Sequence, residues 1–536
     1  MKRAALGLAL ALLGACGGES GSAAAPGGGG AKDATAPPAF GAFPHASLVI
    51  ISLDTLRADG TSVGGGPADI SPSIAAFAQE AVVFDQARTQ APHTAPSHMS
   101  LFTSTLPSVH GVQNVSFAQD ANGDKGPAII VPAREDVPTL AEVLHAAGFR
   151  TVGLTDGGNL NPPHGFARGF DTYTYDLEGA ADKVALGRKE IVALTAPDSG
   201  RFFLFWHTYQ IHAPYCPPGE YVDRWAPADY QGVMRERLDS LAGLSFKERF
   251  SRMKTLFWKD RDTFGPPEAS FLHGVYQAGI RYTDDQLAGL FQAMRDAGVF
   301  ESSIVVLLGD HGEEFFEHGH WQHEQLFEEC LRVPLMIRLP GGLDGGKHIT
   351  TPVALIDVMP TVLDLLGIDA SGLQLPGRVR HGGRSLAETL LTGHEPKAVP
   401  ILSELIDDRA KGGDFERQVA IHANGMTFVQ DRVRGKRGPD GKVIYAQCLY
   451  DLKNDPGEDT NVAPNGGPVL QEFQKLYAGY EAMVQMEQAG SAEQAPVEMT
   501  PEMRKQLEAL GYIDAGAAPE PEPASPPAPT TPANKP

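Results

Sequence analysis

The stretch Gly309–Glu324, GDHGEEFFEHGHWQHE, sets one Asp and four His among glycines and glutamates. Such a cluster belongs to a metal or catalytic site far more often than to a solvated surface, because imidazole both binds transition metals and titrates near neutrality. Asp310 and His311 offer one hard oxygen and one imidazole nitrogen, a mixture that suits zinc or manganese better than calcium. His318, His320 and His323 are not all expected to ligate the same ion. A second stretch, HTAPSHMSLF, contains Thr94. Pro96 suits the first position of a helix, where its missing N–H costs nothing, and Met99, Leu101 and Phe102 are candidates for the buried face. Thr94 then lies just ahead of a helix N-terminus, whose free N–H groups and dipole favour an anion. A hydroxyl there, touching a metal that lowers its pKa, is a nucleophile towards a tetrahedral oxyanion ester. Without that context it is an ordinary helix cap.

Elements that could gather these residues are visible in the same sequence. Short apolar β-rich runs alternate with helical ones, which predicts an α/β fold with a parallel sheet covered on both faces. The runs end in polar residues: SLVIISLD at Asp54, RTVGLTD at Asp156, RFFLFWH at His207 and SIVVLLGDH at Asp310 and His311. Ligands of open α/β sheets bind outside the carboxyl ends of the strands, so four such endings predict an active site assembled from distant positions. The charged stretch Asp223–Glu268 reads as an insertion near the site mouth, helical in part. QEFQKLYAGYEAMVQM and PEMRKQLEALGYI have helical spacing, the first packing on a small C-terminal sheet, and DLKNDPGED is turn chemistry.

With 536 residues, a large domain and a smaller one are expected. The 44 Lys and Arg against 66 Asp and Glu give a net charge of −22, which repels nucleic acid and excludes it as a partner. Residues 1–15 read as a signal peptide, with an apolar run too short to span a bilayer. Leu13-Gly14-Ala15-Cys16 resembles a bacterial lipoprotein box, which implies lipidation of Cys16 and a membrane-anchored lipoprotein of the cell envelope facing periplasm or exterior. Residues 16–45 form a Gly/Ala/Pro tether and 516–536 an Ala/Pro tail. Cys216, Cys330 and Cys448 form no metal pattern and are assigned no function.

Taken in order, SLVIISLDTLRADG, the run from Ser71 to Gly111, FWHTYQIHAPY, the run from Tyr282 to Phe315, LRVPLMIRLPGG, TPVALIDVMPTVLDLLGI and LYDLKNDPGEDTNVA resemble the sulfatase family of the alkaline phosphatase superfamily over about residues 46–513. The resemblance implies an alkaline-phosphatase-like mixed, mostly parallel sheet sandwiched by helices (46–395) with a small C-terminal α+β subdomain (396–515). Position by position it implies that Asp54, Asp310 and His311 bind a divalent metal, together with Thr94 at the nucleophile position. Zinc or manganese is preferred, with calcium a third candidate. His212 matches the histidine at the oxyanion or leaving group, and His98, His207 and His323 are expected on non-bridging oxygens, with His318 in reserve. A second metal would draw on Asp284, His323 and His212.

The departures from the family pattern are informative. Thr94 stands where sulfatases carry the Cys or Ser that becomes formylglycine, His98 replaces the Arg of that signature, and His323 falls where a Lys contacts the sulfate. Thr55 replaces the second Asp, and Asp156 and Gly158 replace a Lys and a His. The expectation is a hydrolase of phosphoesters, most of all phosphodiesters, in which Thr94 attacks phosphorus, His212 or water protonates the leaving alkoxide and water cleaves the phospho-threonine. The alternatives are a sulfuric ester hydrolase acting without formylglycine and a non-catalytic surface protein. The substrate is a small-molecule, glycan or lipid-headgroup ester.

Overall fold

Strand register, not closeness in sequence, sets the architecture. The computed structural model describes residues 40–113, 116–119, 125–257, 263–407, 416–437, 443–488, 497–501 and 503–505. Cys16, the leader, most of the tether, the C-terminal tail and most of PEMRKQLEALGYI lie outside them. Eight strands form the main sheet: β1 (Ser47–Leu53), β2 (Val82–Phe84), β3 (Arg150–Leu154), β4 (Thr172–Thr174), β5 (Phe202–Thr208), β6 (Ser303–Gly309), β7 (Leu335–Arg338) and β8 (His348–Ile349). Their order is β8-β2-β7-β6-β1-β5-β3-β4. β1 is parallel to both β5 and β6, and β3 to both β4 and β5, whereas β7 runs antiparallel to β6 and β2. The sheet is therefore mixed and mostly parallel, as the apolar runs require.

Every residue of β1, β5 and β6 is buried, because helices cover both faces. Val49, Ile51 and Leu53 point into one core and Leu48 and Ile50 into the other. On the first face lie α3 (Ala180–Leu194) and the long α4 (Pro266–Asp296), which contributes Leu272, Val275 and Leu287. The short α1 (Pro72–Ala78) packs on the same side. The second face is covered by α2 (Thr94–Thr103), through Met99, Leu101 and Phe102, and by α5 (Val358–Leu366). α2 begins at Thr94 itself, two residues earlier than Pro96 at the first position would place it. The Ser97 N–H donates to the His93 carbonyl at 3.0 Å, and Pro96 sits inside the first turn, where a missing N–H still breaks no intrahelical bond.

After the main sheet the chain forms an antiparallel sheet of β9 (Ile401–Asp407), β10 (Glu416–Ala423), β11 (Met426–Arg437) and β12 (Val443–Asp451) in that order. The helix α6 (Gly467–Gln488) packs on it through Phe473, Tyr480 and Val484 against Val419, Ile421 and Phe428. Glu404 on β9 ties this unit to the main body, accepting from the Ser108 N–H and hydroxyl at 2.7 Å each and from the Tyr480 hydroxyl. Among the described residues no helix is long and apolar enough to cross a membrane.

Leu307 in β6 has no exposed surface and faces α4. Leu307→Ala is expected to lower unfolding free energy by about 2–5 kcal/mol, read as a lower urea midpoint by tryptophan fluorescence.

Candidate active site

The register pairs Leu53 with Gly309 on one side of β1 and Ser52 with His207 on the other. The residues after β1 and β6 therefore emerge side by side at the carboxyl edge, and Asp54, Asp310 and His311 bring one ligand atom each within 4.8 Å of one another. His311 Nε2 lies 3.5 Å from Asp310 Oδ2 and 4.0 Å from Asp54 Oδ1. Asp310 Oδ1 accepts the backbone N–H groups of His311 (2.9 Å) and Thr55 (3.1 Å). Thr55, at the second acidic position of the family pattern, supplies that N–H by adopting φ of 57°, a left-handed conformation unfavourable for a β-branched residue.

Asp310 Oδ2 and Asp54 Oδ1 are buried and have no hydrogen-bond partner. Burial holds both carboxyls above the usual range, and in Asp54 the nearby Asp310 adds repulsion. Two orphaned carboxylate oxygens facing one imidazole nitrogen fit a divalent cation, which would satisfy both lone pairs and cancel the repulsion. The His311 tautomer agrees: Nδ1–H donates to the Gly312 carbonyl at 2.9 Å, so Nε2 carries the lone pair a metal needs.

Thr94 stands at this cluster in the first turn of the fully buried, ten-residue α2. Its Oγ1 is 3.3 Å from His311 Nε2. His212 Nε2 lies 4.0 Å from Asp54 Oδ1, while its Nδ1–H donates to the Ala213 carbonyl. The His323 ring is 4.4 Å from the His311 ring and 5.3 Å from the His212 ring between centroids.

Other candidates serve different partners. His98 donates from Nδ1 to the Thr94 carbonyl at 2.9 Å and accepts at Nε2 from Ser52 Oγ at 2.8 Å. Both nitrogens are taken by the protein, so it anchors the Thr94 backbone and does not reach a substrate oxygen as the guanidinium of the family signature would. His207 lies below the site on β5, opposite Ser52, and its Nε2 is 3.1 Å from Asp54 Oδ2; it holds that carboxylate instead of facing the ester. His318 stacks on Phe327 and pairs with Glu329 at 3.4 Å, away from Thr94. Asp284 accepts the Ser73 and Ile74 N–H groups at 2.8 Å each, capping α1, and offers nothing to a second metal. Asp156 is spent on a buried pair with Lys183 at 3.1 Å and on the Tyr209 N–H.

Burial pushes His212 and His323 down to about 3, and lowers His98, His207 and His311 as well. Burial thus disfavours the charged form of each of these five imidazoles. Two participants carry no mark in the sequence that separates them from scaffold. Glu313 is fully buried beside His323, and Tyr215 reaches its carboxyl. The Asp223–Glu268 stretch is helical in part, as expected. Its helix Phe246–Phe257 packs Phe250 against Tyr209 and Cys216, and Arg249 donates to the Cys216 and Pro217 carbonyls. It braces the segment that carries His212.

Residues 46–368 match the family model described as Sulfatase. The choline-sulfatase of Rhizobium meliloti (strain 1021) is 25% identical over 474 residues, covering 79% of this chain and 84% of that protein. Arylsulfatase K of Danio rerio is 28% identical over 218 residues, covering 40% of this chain and only 38% of its own length. A protein solved in complex with its substrate D-glucosamine-2-N,6-O-disulfate superposes with a TM-score of 0.62 at 18% identity, covering 82% of this chain and 98% of that one. The phosphonate monoester hydrolase of Agrobacterium radiobacter does so with a TM-score of 0.57 at 19% identity, covering 85% and 100%. At these identities the structural matches speak for the fold.

Two outcomes test the site. Asp310→Asn removes one of the two facing charges, so metal per chain, read by elemental analysis after dialysis, is expected to fall well below that of the parent with the circular dichroism spectrum unchanged. Arg249→Ala releases the His212 segment and is expected to lower kcat on the order of 10-fold, with metal content unaltered.

Proposed function

Because the chain belongs to the sulfatase family, we propose that it is a metal-dependent ester hydrolase that cleaves a phosphodiester through Thr94. The observation that carries this reading is the Thr94 hydroxyl at the start of α2, 3.3 Å from His311 Nε2 and beside two orphaned carboxylate oxygens. Asp54, Asp310, His311 and Thr94 would hold the divalent cation, zinc or manganese by its donor set, which would stabilise charge on the ester and lower the pKa of the hydroxyl.

Thr94 Oγ1 attacks phosphorus in line, giving up its proton to solvent as the P–O bond to the leaving alkoxide breaks, and takes a proton back from solvent when water displaces it, restoring the hydroxyl. A Thr nucleophile argues against the formylglycine route, since oxidising its secondary alcohol would give a ketone and not an aldehyde. His212, with Nδ1–H fixed on the Ala213 carbonyl, presents a basic Nε2. That nitrogen takes a proton from the attacking water in the second step. By microscopic reversibility it protonates the leaving alkoxide in the first, once the anionic ester has favoured its charged form. With burial disfavouring charge on His98 and His323, a monoanionic ester fits better than a phosphate monoester dianion. Sulfate esters are monoanionic too, and the match to choline-sulfatase along most of this chain favours them as the second reading.

This reading places residues 46–395 as the catalytic domain and 396–515 as the smaller one. It extends to Cys16 as a lipidated anchor in the bacterial envelope, with small-molecule, glycan or lipid-headgroup esters as substrates.

The test strips the purified protein of metal, reloads it with zinc, manganese or calcium, and compares turnover on matched aryl phosphodiester, phosphate monoester and sulfate. Metal-dependent diester cleavage is expected, with Thr94→Ala lowering kcat by on the order of 10³-fold or more. Preferred turnover of the sulfate would favour the second reading, and full activity of Thr94→Ala would overturn the nucleophile.

A further inference from the structure

The hairpin that follows His311 folds back so that Glu314 pairs with Gln322 and Phe315 with Trp321. This register returns residue 323 to the level of residue 313. His323 Nδ1 lies 3.1 Å from Glu313 Oε1, with both side chains buried. Glu313 is itself fixed on several sides. Its N–H donates to the Glu329 carbonyl at 3.0 Å, its own carbonyl accepts from Arg57 Nη1 at 3.0 Å, and the Tyr215 hydroxyl reaches its carboxyl. Arg57 is anchored in turn by Asp59 at 2.8 Å and Glu317 at 2.6 Å. Tyr215 belongs to the segment that carries His212, so one carboxyl bridges the two strips of chain bearing the histidines nearest the ester.

An imidazole on a two-bond stem can turn either nitrogen towards a substrate, and its rotation decides which. The lysine at this position in the family pattern has no such ambiguity. We propose that Glu313 is a positioning residue: its carboxyl O–H donates to Nδ1 of His323, so that Nε2–H is the group presented to a non-bridging oxygen of the ester. The assignment rests on the proposed placing of the ester at Thr94, but not on the choice between phosphate and sulfate. Glu313 hydrogen-bonds no ligand atom of the metal cluster, and it acts on turnover by orienting His323.

A double-mutant cycle tests this on whichever aryl ester the wild-type protein hydrolyses fastest. Glu313→Ala is expected to lower kcat on the order of 10- to 100-fold with little change in metal content, and Glu313→Gln, which can still bond Nδ1, to recover most of the loss. In a His323→Ala background, Glu313→Ala is expected to cost nothing further. Multiplying effects of the two single substitutions, or a Gln variant as slow as the Ala variant, would overturn the proposal. Should Glu313→Ala not fold, Tyr215→Phe loosens the same carboxyl. A smaller loss of kcat that disappears in the His323→Ala background supports the proposal, and one that persists there overturns it. A failed Thr94 nucleophile would show in Thr94→Ala alone and leave this cycle readable.

Discussion

The site is organised by the confrontation of two buried carboxylates. Asp54 and Asp310 leave adjacent parallel strands at the same level, and each has one buried oxygen without a hydrogen-bond partner. Leaving such groups uncompensated costs several kcal/mol per charge, so the fold stores a demand for a cation. The neighbours are arranged to sharpen that demand. The Thr55 and His311 N–H groups fix the far oxygen of Asp310, His207 fixes the far oxygen of Asp54, and the Gly312 carbonyl sets the His311 tautomer. The left-handed conformation of Thr55 is held by the same hydrogen bonds, a local strain that persists because the surroundings over-determine it.

Legibility in the sequence followed the length scale of the signal. Strands buried on both faces must be continuous apolar runs, so β1, β5 and β6 could be read directly, and with them the edge where Asp54, Asp310 and His311 meet. Asp156 ends a run of the same kind, yet its carboxylate is taken by Lys183, a residue of α3 that no local pattern connects to it. Asp284 looked like a spare ligand and is a helix cap for α1, more than two hundred residues earlier in the chain. His98 and His207 stand at the right positions along the chain and on the wrong side of the residues that matter. His98 bonds the Thr94 carbonyl and Ser52, and His207 bonds the Asp54 carboxylate, partners that a motif match does not carry.

The pieces outside the main sheet explain how the edge is kept in shape. The helix of the inserted stretch is pinned to the backbone after His212 by Arg249, and its Phe250 packs beside the Tyr209 ring that lies 4.7 Å from His207. The C-terminal unit is clamped to the other flank by Glu404, whose carboxylate engages the Ser108 backbone just beyond α2. Both grips act on backbone segments adjoining catalytic candidates, which turns peripheral elements into parts of the site's rigidity.

Replacing cations by neutral rings changes what the site can stabilise. Where the family pattern has an Arg and a Lys, this chain has His98 and His323, both neutral by burial. Neutral donors stabilise an oxyanion by direction instead of net charge, so their contribution depends on orientation far more steeply than that of an ammonium group. His98 spends its one donor on the Thr94 carbonyl, and His323 meets this requirement by its contact with a carboxyl that Tyr215 and backbone bonds hold in place. A cation set between Asp54 and Asp310 would then be the main source of positive charge at Thr94. That arrangement suits an ester with a single negative charge to offset and a hydroxyl nucleophile that needs its proton loosened.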